Sequence, residues 1–126
     1  MVRHGTPRLV LLATDDSDAR EILESLLIDA GYQVLLARDG FEAFALAKRG
    51  APDIVLVDAD MPRLDGAEFC RAYRWHGGTT PVVLLSATHP DVITVTIAAC
   101  GASAYIPKPF SVSRVLETVA DLVDGR

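Results

Sequence analysis

Six side chains in this sequence are of types that together could handle a phosphoryl group. Asp15 and Asp16 stand side by side after one short apolar run, and Asp58 and Asp60 stand two apart after another. Ser86 ends a third run, and Lys108 follows a fourth, held between Pro107 and Pro109. Carboxylates gathered at one place repel one another unless a cation intervenes. Oxygen-only donors of that charge favour a hard divalent ion, and Mg2+ leaves coordination positions open for water and phosphate oxygens. Aspartate is itself a covalent nucleophile for phosphoryl groups. Asp58 is the strongest candidate, because it directly follows the apolar stretch Ile54–Val57 and precedes a loop running from Ala59 to Leu64. The Ser86 hydroxyl and the Lys108 ammonium would then hold the equatorial phosphoryl oxygens. A compact ammonium suits such a point contact, and the chain has only two lysines, Lys48 and Lys108, against ten arginines. A phosphorylated Asp58 would carry new charge and acceptor oxygens able to draw nearby loops into a second conformation.

Those residues need a scaffold that brings distant strand ends together. Short apolar runs read as strands at Arg8–Ala13, Tyr32–Ala37, Asp53–Val57, Pro81–Ser86 and Ala104–Ile106. Stretches with helical periodicity lie between and after them. In the first, Ala19, Ile22, Leu23, Leu26, Leu27 and Ala30 form one apolar stripe; in the last, Val112, Val115, Leu116, Val119 and Val123 do so behind a Ser111 N-cap. Asp16 or Ser17 is positioned to cap the first helix. Asp39 with Glu42, Asp65 with Glu68, and Thr88 with Asp91 have capping-box spacing. Gly31 and Gly101 fall where the first and fourth helices should end, and Gly50 and Gly77-Gly78 follow the second and third.

Five repeats of strand then helix require parallel pairing with right-handed crossovers. The first, third and fourth strands are apolar throughout, as strands covered on both faces should be. The second carries Gln33 and the fifth is very short, which suits edges. The predicted architecture is therefore α/β, a flavodoxin-like (βα)5 three-layer sandwich with a five-stranded parallel sheet of order 2-1-3-4-5. In such sheets ligands bind beyond the carboxyl ends of the strands, near the switch in strand order, which is where the six polar residues fall.

The rest of the composition excludes several classes. The chain has 126 residues, half of them hydrophobic and 23% charged, enough for one compact core. Its longest apolar run is five residues, far short of the ~20 needed to span a bilayer. Met1 to Pro7 has no apolar stretch of the kind a secretory leader carries. With a net charge of −5 and no basic run, neither direct nucleic-acid binding nor membrane insertion is expected. Cys70 and Cys100 have no metal-ligand spacing with each other or with His4, His76 and His89, and read as buried thiols.

From about Arg8 to Val123 the chain resembles the receiver domain of two-component response regulators, the CheY-like domains. Four blocks carry the resemblance in order: Asp15-Asp16; PDIVLVDADMPRLDG from Pro52 to Gly66; PVVLLSA from Pro81 to Ala87; and GASAYIPKPF from Gly101 to Phe110. The resemblance implies a phosphoacceptor at Asp58, with Mg2+ held directly by Asp16 and Asp58, through water by Asp15, and by the backbone carbonyl of Asp60. It implies phosphoryl contacts from Ser86 and Lys108, and an aromatic switch at Tyr105 that turns inward when Ser86 moves. It further implies a receiver domain over 8–124 with short tails at 1–7 and 125–126, a cytoplasmic location, and a histidine kinase or histidine phosphotransfer protein as donor. The face of the fourth helix, fifth strand and fifth helix would contact a downstream protein, an output domain or a second copy in a homodimer. Such a domain is a phosphoacceptor switch that catalyses only its own phosphorylation and dephosphorylation.

Three features depart from the family pattern. Asp60 adds a fourth acid and is expected to tighten metal binding and alter dephosphorylation. Thr14 replaces the usual apolar residue before the acidic pair. The fourth helix has no charged residue from Val92 to Pro107 and opens with a β-branched run from Val92 to Ile97, a poor helix former. It reads either as a buried or frayed element or as a sticky partner surface. Asp58-Ala59-Asp60 is also similar to the nucleophile motif of haloacid-dehalogenase-type phosphatases, but Pro62 stands where those enzymes have Thr or Val. The remaining alternative is a receiver-like interaction module that is never phosphorylated. A stand-alone regulator and a fragment of a larger regulator or hybrid kinase both fit the chain.

Overall fold

The computed structural model describes residues 8–124. The expected tails at 1–7 and 125–126, with Arg3 and His4, lie outside the described residues. Five strands and five helices alternate: β1 (Leu9–Ala13), α1 (Ser17–Asp29), β2 (Gln33–Ala37), α2 (Gly40–Gly50), β3 (Ile54–Asp58), α3 (Gly66–Trp75), β4 (Val82–Ser86), α4 (Pro90–Cys100), β5 (Ala104–Pro107) and α5 (Val112–Val123). All four pairings are parallel, in the order β2-β1-β3-β4-β5. The predicted architecture and strand order are therefore observed.

Alternation along the inner strands builds two apolar layers. Leu11 and Ala13 of β1, Val55 and Val57 of β3, and Val82 and Leu84 of β4 face α2, α3 and α4, meeting Ala43, Phe69, Cys70, Ile93 and Cys100. Val10, Leu12, Ile54, Leu56, Val83 and Leu85 face the other way, onto Leu23 and Leu27 of α1 and Val115 and Val119 of α5. Strands covered on both sides must be apolar at every position, and β3 and β4 are buried end to end. The helical stripes are narrower than their periodicity predicts. Ile22 and Val112 are exposed, while Leu23, Leu26 and Leu27 of α1 and Val115, Leu116, Val119 and Val123 of α5 pack into the core.

Helix ends confirm most of the chemical signals and correct three: the Asp39–Glu42 box, the Thr88 cap, and Gly50, which is the last residue of α2 with Ala51 at its left-handed C-cap. Asp65 and Glu68 form a full capping box on α3. Asp39 caps α2, but Glu42 reaches the backbone N–H of Arg38 rather than that of Asp39. Ser111 caps α5. At α4 the cap is His89, whose Nδ1 accepts from the Asp91 N–H at 3.2 Å, not Thr88. Pro90 occupies the first turn of that helix and thereby places the cap one residue later than predicted. Strand limits also shift by one residue: four strands start one position later, β3 extends to include Asp58, which pairs with Leu85, and β5 extends to Pro107, which pairs with Ser86. Among the described residues no helix is long and apolar enough to cross a membrane.

Candidate phosphoacceptor site

The order reversal lies between β1 and β3, so the carboxyl ends of those two strands flank the switch point where open parallel sheets place their ligands. β3 delivers Asp58 there, with its residue only 2% exposed. A carboxylate so buried requires charge compensation and hydrogen bonds. The Lys108 ammonium supplies the charge, at 2.8 Å from Oδ1 and 2.7 Å from Oδ2. The backbone N–H of Asp60 donates to Oδ1 at 3.0 Å, and the Thr14 hydroxyl donates to Oδ2 at 3.2 Å. Both oxygens are thus held by two donors each.

Local structure explains how the partners reach the carboxylate. The Lys108 backbone N–H donates to the Ser86 carbonyl at 2.9 Å, which ties the end of β5 to the end of β4 and directs the loop toward β3. The Ala59 N–H donates to the Leu85 carbonyl at 2.9 Å, so the chain stays in register one residue beyond Asp58 before it turns. α3 then begins hard against that turn. A Cβ on Gly66 would lie 2.6 Å from the Asp58 carbonyl oxygen and 2.9 Å from the Ala59 Cα. Only glycine lets this helix start so close to the strand end.

The other expected residues occupy the same rim in different states. Ser86 is fully buried, and its Oγ accepts from the Thr88 N–H at 3.0 Å. Asp15 and Asp16 are exposed. Asp16 caps α1, its Oδ1 accepting from the N–H groups of Asp18 and Ala19 at 3.0 and 3.2 Å, so the cap is Asp16 and not Ser17. Tyr105 is half-buried on β5 and packs against the α2–α4 layer. The structure therefore brings Asp58, Lys108 and the Asp60 backbone into contact, while Asp15 and Asp16 face solvent nearby. Carboxylates and a carbonyl are the hard oxygen donors that suit Mg2+, although among the described residues no three acidic, histidine or cysteine side chains already converge as a metal group.

Thr14 is the contact that residue-type reasoning misses. In the sequence it stands out only as a departure from an apolar position. A fully buried hydroxyl at a strand end beside acids is the available signal, since such a group must find hydrogen-bond partners. It finds two: the Asp58 carboxylate and the Asp16 N–H, the latter at 3.2 Å.

A doubly wound parallel α/β domain with a lysine-bound aspartate at its switch point defines a class of signalling domain. The family model described as "Response regulator receiver domain" matches residues 10–120, and the chain belongs to that family. It is 40% identical over 119 residues to the response regulator MprA of Mycobacterium sp. (strain KMS), an alignment that covers 93% of this chain and 51% of that protein. MprA of Mycobacterium tuberculosis is 38% identical over 116 residues, covering 90% and 50%. The chain thus spans about half the length of the curated relatives it matches. Among solved structures, the chemotaxis response regulator CheY4 of Vibrio cholerae superposes with a TM-score of 0.87 at 32% identity, covering 93% of this chain and 99% of that one. The receiver domain of the sensor histidine kinase PA1611 of Pseudomonas aeruginosa, described with a magnesium ion in its active-site cleft, superposes with a TM-score of 0.87 at 26% identity, covering 94% and 99%.

Proposed function

We propose that Asp58 accepts a phosphoryl group from a phosphohistidine on a histidine kinase or histidine phosphotransfer protein, and that the modification resets the α4-β5-α5 face for a downstream partner or output domain. The observation that carries this reading is the Asp58–Lys108 pair at the switch point, with the carboxylate buried and both oxygens held. In the transfer, one carboxylate oxygen forms a bond to phosphorus as the donor's N–P bond breaks, and the histidine takes up a proton. Lys108 is placed to follow the negative charge from the carboxylate to the phosphoryl oxygens. Ser86, one strand over, would turn its hydroxyl to the phosphoryl group on leaving the Thr88 N–H, with half-buried Tyr105 moving inward behind it.

The donor set around Asp58 fits Mg2+, and we assign its ligands to Asp16 and Asp58, to Asp15 through water, and to the Asp60 backbone carbonyl. Bound there, the ion would neutralise charge on the incoming phosphoryl group. The functional unit of this reading is the receiver domain over 8–124, acting in the cytoplasm beside its phosphohistidine donor. Intact mass after incubation with acetyl phosphate or phosphoramidate, with and without Mg2+, tests the reading. The expected result is a metal-dependent gain of one phosphoryl group that Asp58→Asn abolishes. No gain from either donor, together with no Mg2+ binding by calorimetry, would overturn it in favour of a phosphorylation-independent interaction module.

A further inference from the structure

We infer that the Thr14 hydroxyl sets the lifetime of the phosphorylated state, by donating to the Asp58 carboxylate and so favouring its release from phosphorus. The inference rests on the reading of Asp58 as phosphoacceptor and adds to it a residue of this chain where the family pattern is apolar.

Thr14 is fully buried at the end of β1. Its hydroxyl has one proton and two lone pairs. One lone pair accepts from the Asp16 N–H at 3.2 Å, which leaves the proton directed to Asp58 Oδ2, also at 3.2 Å. The direction of this hydrogen bond is therefore fixed by its neighbours. Lys108 contacts both carboxylate oxygens and can follow charge onto a phosphoryl group. Thr14 is anchored on a buried strand end and stays with the carboxylate.

A donor stabilises an anionic acceptor more than a neutral one. Unmodified Asp58 is a carboxylate, whereas the acyl phosphate shares its electrons with phosphorus and accepts more weakly. Hydrolysis restores the carboxylate: a water oxygen bonds to phosphorus, the Asp58 oxygen–phosphorus bond breaks, its electron pair returns to Asp58, and the water's proton passes to the phosphate or to solvent. Charge on the departing carboxylate grows along that path. A hydroxyl aimed at it strengthens its bond as the reaction proceeds, whether phosphorus sits on Oδ2 or on Oδ1. The same hydroxyl holds back the forward transfer, since that step begins from the better-bonded anion.

Valine and serine divide the threonine side chain into its two halves. Thr14→Val keeps the shape and loses the hydroxyl; Thr14→Ser keeps the hydroxyl and loses the methyl. Each protein would be phosphorylated with acetyl phosphate and Mg2+, separated from the donor, and followed by intact mass as the phosphoryl group is lost, with thermal unfolding recorded alongside. The expected result is a half-life about fivefold longer in Thr14→Val, the factor separating a charged from a neutral hydrogen bond, and within about twofold of wild type in Thr14→Ser. A packing role predicts the reverse, with Ser perturbed and Val normal. Decay in Thr14→Val as fast as wild type, or no phosphoryl gain by that variant alone, would overturn the inference and leave the phosphoacceptor reading standing. Absence of phosphoryl gain in the wild type would bring down both. Thr14→Ala provides a second hydroxyl-free protein should the valine variant not fold.

Discussion

The Lys108 ammonium straddles the Asp58 carboxylate, 2.8 Å from one oxygen and 2.7 Å from the other, across 50 residues of sequence. The two groups are unequally buried: the Asp58 side chain is 3% exposed and that of Lys108 is 27% exposed. The pair is therefore asymmetric. Lysine can reach water without its partner, but aspartate cannot.

That asymmetry predicts the outcome of a double-mutant cycle. Lys108→Met leaves a buried carboxylate without its counter-charge and should lower stability by about 3 kcal/mol, the low end for a broken buried pair because Lys108 itself is part-exposed. Asp58→Asn removes the charge that needs compensation, keeps an acceptor for Thr14 and lets Lys108 turn outward, so its cost should be under ~1 kcal/mol. In the Asp58→Asn background, adding Lys108→Met should cost little more. Urea denaturation of the two single variants and the double variant at pH 7 measures all these terms. Equal losses in the two single variants would refute the asymmetry.

Gly66 offers a test of how tightly α3 is pressed onto the site. A methyl group there would meet the Asp58 carbonyl oxygen and the Ala59 Cα, which are backbone atoms with no rotamer to yield. Gly66→Ala should cost about 1–3 kcal/mol from overpacking, despite alanine's higher helix propensity. It should also slow phosphoryl gain, because any relief moves the turn that aims Asp58. Urea midpoints together with intact-mass kinetics check both. A stabilised variant with normal kinetics would show that the helix start can shift freely.

Much of this arrangement is legible in the residues because burial on two faces leaves a plain mark. β3 and β4 have to be apolar throughout, and Gln33 and the shortness of β5 mark the edges. Asp58 stands out as the charge that follows such a run. The α3 capping box is legible because its pairing is purely local. The His89 cap is not, since an imidazole Nδ1 does this work without the usual Ser, Thr, Asp or Asn at that place. Thr14 is visible in the sequence without its role, because its partner lies 44 residues away and only the β1–β3 register brings the two together. Periodicity places Ile22 and Val112 in the core, but it gives a direction around a helix and not the width of what covers it. Asp16 shows a further limit: it is seen as a helix cap, and the same residue type at the same place would equally suit the metal ligand proposed for it.

Alkaline pH should loosen the α3–α4 packing through Cys70. Both cysteines are free and buried. Burial, followed by the neighbouring Cys100, pushes the Cys70 thiol up from 9.0 to about 12. The folded chain therefore keeps a proton that the unfolded chain releases. This contribution to stability is complete below pH 9 and is lost between pH 9 and about 12, with a slope approaching ~1.4 kcal/mol per pH unit. Tyr32 is also raised above 10.0, chiefly by burial and then by Asp124, and adds the same sign of slope at higher pH. Urea midpoints from pH 8 to 10 isolate the thiol. Cys70→Ala should be less stable at pH 8 by about 1 kcal/mol and distinctly flatter toward pH 10; an unchanged slope would refute the assignment.

The apolar α4 face carries the last prediction. The helix forms over Pro90–Cys100 although its centre is β-branched. Ile93 and Cys100 anchor it to the core, and the hydroxyls of Thr94 and Thr96 donate back to the carbonyls of Pro90 and Val92 at 2.7 and 3.1 Å. Val92 and Val95 are left outside, 56% and 68% exposed, on a helix with no charge beyond its first turn. Neither fits a frayed or fully buried element, and the pattern favours a surface that is covered during function. Val95→Lys places a charge at the centre of that surface while substituting a better helix former for a β-branched one. Its effect on stability should stay within ~0.5 kcal/mol, as for other exposed positions. Association should respond far more strongly. Light scattering of the wild type should rise with protein concentration, more so after phosphorylation if the face is switched, and that of Val95→Lys should remain flat. Absence of association in both proteins would remove self-pairing through α4 and leave a different protein or an output domain as the occupant of the face.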